Sequence, residues 1–227
     1  MLSRIADVLV PSVGRLSVTT DPGFTITPGS LFVANRTSLA DPAIVLAALH
    51  RLGAHPAVMA AAGPWRIPVL GRVLAHEGHI PVVRGDRQAA AALDLAAQTL
   101  EQGRSVLIYA EGGLPRRRDA AEAAPGSFRS GVARLADRTG APLVPVGQAG
   151  ARRISSGGAV KQFAGLATAP LRRPGLHVHV GAPVDLAGHL EGCLPRARTA
   201  ATAAWRTAAG RLGEAAGLAA QDTGAKS

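Results

Sequence analysis

The segment NRTSLADP, Asn35 to Pro42, sets a permanent cation at Arg36 five residues before the carboxylate of Asp41. A guanidinium has five N–H donors, no acceptor and a pKa above ~12, so Arg36 can bind an anion but cannot take a proton. Asp41, at the ordinary carboxyl pKa near ~3.9, is a poor base, and a salt bridge would make it poorer. Arg36 therefore suits pairing with Asp41 or holding a phosphate. The same segment has a plain structural use: Ser38 as a turn residue, then Asp41 at the N-cap and Pro42 at the first helical position. Further on, Arg84 follows an apolar run. Glu111 stands before Gly112 and Gly113, and Arg116, Arg117 and Arg118 follow in the same stretch. The clustered cations fit a phosphate site or a solvated charge run, and Gly112-Gly113 fits an ordinary turn.

The remaining chemistry-bearing residues are weaker candidates. His76-Glu77-Gly78-His79 has the wrong spacing for two metal ligands on one helix face. His50 and His55 fall at or beyond a helix end, and His189 falls in a loop. His177 and His179 alternate with Leu176, Val178 and Val180, which predicts a shared, solvated strand face. The single cysteine, Cys193, excludes an internal disulfide and a cysteine-rich zinc site, and suits a reducing compartment. No nucleotide-binding Gly-rich loop of the usual form is present.

The elements that must carry these residues alternate in type. Strands are expected at Leu16–Thr20, Leu31–Ala34, Pro56–Ala61, His79–Val83, Ser105–Tyr109, Pro142–Val146 and Leu176–Val180. Helices are expected from Asp41 to Leu52, Asp86 to Gln102, Ser127 to Arg138 and Pro195 to Leu218, with Gly103 and Gly140 as stops. Trp65–Ala75 reads as a short helix or loop broken by Pro68 and Gly71, and Gly150–Ala169 has no assignment. This pattern predicts one α/β layered domain over residues 1–220, a largely parallel sheet flanked by helices, and a frayed tail at 221–227.

The chain has 227 residues, 47% of them hydrophobic, which is ample for a sizeable core and excludes wholesale disorder. No apolar run approaches the ~20 residues of a spanning helix, and the N-terminus does not read as a signal peptide. Leu2–Val10 fits either a membrane-docking helix, through Leu2, Ile5, Ala6 and Leu9, or a core strut. The net charge is +10, and all but two of the 25 basic residues are arginines. Part of this is compositional habit. The rest implies a polyanionic partner, lipid headgroup or phosphate rather than nucleic acid, because no nucleic-acid-binding motif or interleaved aromatics accompany the arginines.

Four blocks in this order resemble the glycerolipid acyltransferase family typified by bacterial 1-acylglycerol-3-phosphate acyltransferases: NRTSLADP, then GHIPVVR at Gly78 to Arg84, VLIYAEGGLPRRR at Val106 to Arg118, and APLVPVGQAG at Ala141 to Gly150. GSFRSGVARLA, Gly126 to Ala136, is similar to the helix between the last two. The resemblance implies transfer of a fatty acyl group from acyl-CoA or acyl-carrier protein to a lysophospholipid hydroxyl. It implies no metal and no resident cofactor, an anionic membrane surface as partner, and a cytoplasmic place on the inner face of the membrane. It makes Asp41 the residue that orients the family's catalytic histidine, and puts Arg36 in that histidine's position. Asn35, Ser38, Arg84, Glu111, Gly112, Gly113 and Arg116 fall to the substrate. Leu114 stands where the family carries an arginine, so Arg116 to Arg118 are the substitutes at hand. Two other readings stay open: a non-catalytic relative that binds lipid or a phosphorylated ligand, and a basic scaffold that only docks on anionic membranes.

Overall fold

Phe32 and Ala34 face one hydrophobic layer and Leu31 and Val33 the other, and all four are fully buried. That two-sided burial is what a nearly continuous apolar strand requires: helices over both faces of a parallel sheet. The computed structural model describes residues 1–83, 86–113, 121–155, 159–186 and 190–213. Along the chain lie α1 (Leu2–Val13), β1 (Arg15–Thr20), β2 (Leu31–Ala34), α2 (Asp41–Arg51), β3 (Ala57–Ala61), a 3-10 turn (Gly63–Arg66), α3 (Pro68–His76) and β4 (Ile80–Val82). Then follow α4 (Asp86–Glu101), β5 (Val106–Tyr109), α5 (Gly131–Thr139), β6 (Leu143–Ala149), α6 (Ala151–Ile154), α7 (Ala159–Arg172), β7 (Gly175–Val180) and α8 (Leu190–Arg211).

The strands form one sheet in the order β1-β7-β6-β2-β5-β3-β4, parallel throughout except between β6 and β7. One face packs against α1 and α2 through residues such as Val10, Ile44, Val45, Leu49, Leu107 and Val178. The other packs against α4, α5 and the start of α8 through Ala96, Leu100, Val132, Leu135 and Ala197. This is the α/β fold expected. Gly147 lets α8 lie directly on β6, because a Cβ there would stand 2.1 Å from the main chain of Ala204.

Four readings change in detail. Pro68 starts α3 rather than breaking it, and Gly71 sits buried inside that helix. The unassigned stretch after Gly150 holds α6 and α7. The helix expected from Ser127 begins only at Gly131. His177 and His179 share a face, but it is buried, not solvated, because α8 covers it and β1 supplies partners. His177 bonds Ser17 Oγ at 2.6 Å and Thr19 Oγ1 at 2.9 Å, and His179 bonds Thr19 Oγ1 at 3.0 Å and Asp21 at 3.1 Å. Burial, His179 and Arg211 together hold the His177 imidazole below its ordinary pKa. His79 is buried as well: its Nδ1 accepts the Val58 N–H at 2.9 Å, which makes it a structural link between strands. The expected tail at 221–227 and the last residues of the expected domain, 214–220, lie outside the described residues, as does His189. α1 is a strut on one side, burying Ser3, Ala6 and Val10, while Ile5, Val8 and Leu9 are exposed on the other.

Candidate active site

The C-terminal ends of β2, β5 and β6 lie side by side, and the loops that leave them carry most of the candidate residues. Open α/β sheets bind ligands at this edge. Asn35, the first residue beyond β2, is fully buried and continues the sheet with its side chain. Its Oδ1 accepts the Gln148 N–H at 2.8 Å and its Nδ2 donates to the Gln148 carbonyl at 3.0 Å. Only a carboxamide offers an acceptor and a donor at that reach, so Asn35 pins the start of the loop to β6.

Asp41 closes the loop from the other end. It is the first residue of α2, and the N-cap is Ala40, one position earlier than the sequence suggests. Its carboxylate does not cap that helix. It turns back, with Oδ2 accepting the Thr37 and Ser38 N–H groups at 2.5 and 2.8 Å and Oδ1 accepting the Thr37 hydroxyl at 3.3 Å. Ser38 keeps its turn role, its Oγ accepting the Ala40 N–H at 3.2 Å. Asp41 has no exposed surface, and burial lifts its carboxyl to about 7, against the opposing pull of the Ser38 and Thr37 hydrogen bonds and the Arg36 charge. No local pattern foretells this proton affinity, since burial sets it.

Arg36 stands between these anchors. Its main-chain N–H donates to Glu111 Oε1 at 3.0 Å, and its guanidinium lies over the Tyr109 ring, 5.3 Å from the centroid. It forms no ion pair with Asp41, and its Nε is buried without a hydrogen-bond partner. The Tyr109 hydroxyl is likewise buried and unpartnered, and burial, reinforced by the Asp41 charge, holds it well above the ordinary tyrosine range. Glu111 is a tie between loops: its other oxygen accepts the Gly126 N–H at 3.0 Å. Gly112 takes a left-handed φ of +69°, and the Arg129 side chain lies 3.1 Å from where its Cβ would be. Gly113 has open space around it.

The structure thus brings Asn35, Arg36, Ser38, Asp41, Glu111, Gly112 and Gly113 to one rim. Arg84 and Arg116, with Arg117 and Arg118, lie outside the described residues. His50 and His55 stack against each other, 4.9 Å between ring centroids, at the far end of α2. Among the described residues no cluster of three or more His, Cys, Asp or Glu side chains is placed to hold a metal.

Sequence reasoning passed over three participants. Gln148 Nε2 donates to Thr37 Oγ1 at 2.8 Å, and the buried Arg152 donates from Nη1 to the Thr37 carbonyl at 3.2 Å. Thr37 is the third. A polar Gln148 in an otherwise apolar buried strand was the one readable signal.

An acyltransferase family model matches residues 16–148, more than half of the chain and the whole of the rim just described. The chain belongs to the acyltransferase family. The crystal structure of the 1-acyl-sn-glycerophosphate (LPA) acyltransferase PlsC from Thermotoga maritima superposes on it with a TM-score of 0.62 and 18% sequence identity. That alignment covers 87% of this chain and 77% of the other, and the likeness is one of fold. No curated protein matches the chain in sequence. Within the acyltransferase fold, position 36 is held between two ties, a buried one to Gln148 through Asn35 and a part-buried one to Glu111 through its own N–H.

Proposed function

We propose that this acyltransferase moves a fatty acyl group from a thioester, acyl-CoA or acyl-carrier protein, to the hydroxyl of a lysophospholipid of the 1-acylglycerol-3-phosphate type, as a step of phospholipid biosynthesis. The observation that carries the reading is the closed loop from Asn35 to Asp41, pinned to the sheet through Asn35 and closed on itself by the Asp41 carboxylate. Such a loop fixes the position from which a side chain meets the acceptor hydroxyl, and fixed geometry contributes substantially to transfer catalysis. That the Thermotoga maritima protein is a 1-acyl-sn-glycerophosphate acyltransferase supports the acceptor class. Arg84 and Arg116 are assigned to the acceptor's phosphate, with Glu111 and Gly112 shaping the rim.

The test is thiol release from acyl-CoA and acyl-carrier protein with and without lysophosphatidate. Release that depends on lysophosphatidate supports the reading, and release indifferent to it removes the reading. Arg36 favours a second reading: a cation with no acceptor atom and a buried, unpartnered Nε suits a relative that binds lipid or a phosphorylated ligand without turnover. Saturable lysophosphatidate binding with no thiol release would select it.

Reaching such a substrate calls for an interfacial habit, on the cytoplasmic face of an anionic membrane. No helix among the described residues is long and apolar enough to cross a membrane. The net charge of +10 and the exposed Ile5, Val8 and Leu9 support peripheral binding. Vesicle binding should then fall steeply with salt, since exposed charges are screened beyond ~8 Å at physiological ionic strength. Equal binding to neutral and anionic vesicles would exclude it.

A further inference from the structure

An acyl acceptor hydroxyl must lose its proton as it attacks, and Arg36 cannot take it. The groups around the vacant role narrow quickly. Tyr109 is buried and too weak an acid to stand ionised. Ser38 is buried, and its hydroxyl accepts the Ala40 N–H and makes no bond to the Asp41 carboxylate. Glu111 binds the N–H groups of Arg36 and Gly126, one with each oxygen, as a tie between two loops. Arg152 offers only donors. Asp41 has the proton affinity but no surface through which a substrate could touch it.

Thr37 supplies the missing contact. Its hydroxyl has one hydrogen and two lone pairs. With the carboxamide assigned Nε2 toward Thr37, Gln148 fills one lone pair at 2.8 Å. The hydrogen is directed to Asp41 Oδ1 at 3.3 Å, a distance that can tighten once substrate is bound. One lone pair remains on the hydroxyl, and of Thr37, Asp41 and Gln148 only Thr37 is not wholly enclosed.

We propose that Thr37 and Asp41 together replace the absent imidazole, the Thr37 hydroxyl taking the acceptor's proton while passing its own to Asp41. The acceptor oxygen then bonds the thioester carbonyl carbon, the C–S bond breaks, and the proton returns from Asp41 through Thr37 to the departing thiolate, which leaves as the thiol. Arg36 acts on this pair by charge alone: as the neighbouring cation it favours the ionised form of Asp41. The inference rests on the acyl-transfer reading above.

The test is steady-state acyl transfer to lysophosphatidate by the whole chain, as kcat and KM across pH 5.5–9, for the native protein, Thr37→Val, Thr37→Ser and Arg36→Ala. Loss of the relay in Thr37→Val should lower kcat by about 10²-fold or more with KM within a few-fold, and Thr37→Ser should restore kcat to within ~10-fold of native. Native kcat should climb with pH through about 7, and this limb should move to higher pH in Arg36→Ala, where the cation that helps ionise Asp41 is gone. Turnover by Thr37→Val within a few-fold of native overturns the proposal while leaving acyl transfer standing. So does an acid limb that Arg36→Ala does not move, which serves as the test should Thr37→Val fail to fold. Absence of native turnover overturns acyl transfer itself.

Discussion

Replacing Asp41 with Asn should stabilise the protein at pH 8 while removing its turnover. The native carboxyl ionises at about 7 and an unfolded one at 3.8, a difference of about three units. Each unit is worth ~1.4 kcal/mol, so the buried charge costs about 4 kcal/mol once it is fully formed. Below pH 3.8 both states hold the proton and the cost is absent. Between 3.8 and about 7 the unfolded chain has released its proton while the native chain still holds it, so stability falls as pH rises. Above about 7 the full cost is expressed. An Asn carboxamide fits the same contacts: its oxygen can accept the two N–H groups now bound by Oδ2, and its NH2 can donate to Thr37 Oγ1.

The assay is urea unfolding of both proteins at steps from pH 4 to 8, read as the difference between them, so that every other titrating group cancels. The difference should be within ~1 kcal/mol of zero at pH 4 and should grow in favour of Asp41→Asn to several kcal/mol at pH 8. A flat difference, or one that turns against Asn as pH rises, would refute the reasoning. The carboxylate would then be favourably bound, and Asp41 could not accept a proton near neutrality.

Other substitutions probe the rest of the molecule. Arg36→His puts an imidazole beside Asp41 and should raise acceptor-dependent thiol release by about 10²-fold, whereas Arg36→Ala should not; a rate unchanged or lowered by histidine would mean that position 36 does not face the reacting hydroxyl. Arg84→Ala should weaken lysophosphatidate binding ~10-fold or more through a lost charge-assisted contact and leave the dephosphorylated lipid nearly unaffected, as measured by titration; equal losses would make Arg84 structural. Gly147→Ala drives a methyl to 2.1 Å from the α8 main chain and should cost at least ~3 kcal/mol in urea unfolding. A loss below ~1 kcal/mol would show that α8 can move away.

The framework was legible because its signals are local. Val106 to Tyr109 declares a buried strand by composition, and Gly103 and Gly140, both with left-handed φ, stop their helices where the sequence places the stops. The failures share a cause: each depends on what lies across from a residue. Alternation correctly puts His177 and His179 on one face, but it cannot say that α8 covers that face or that Ser17 and Thr19 stand in register with them on β1. The site divides in the same way. The family resemblance marks Asn35, Asp41 and Glu111, yet Gln148 comes to Thr37 from more than a hundred residues away. From sequence, Asp41 is an ordinary acid or a helix cap. Enclosed by the loop it closes, it is neither, because the hydrogen bonds that hold the loop shut also exclude the water that would keep its pKa low. Arg36 partly offsets that burial by its charge, from a position over the Tyr109 ring and without an ion pair to Asp41. A histidine there would offer an acceptor atom beside Asp41; an arginine offers only charge, and that charge acts on the ionisation of Asp41.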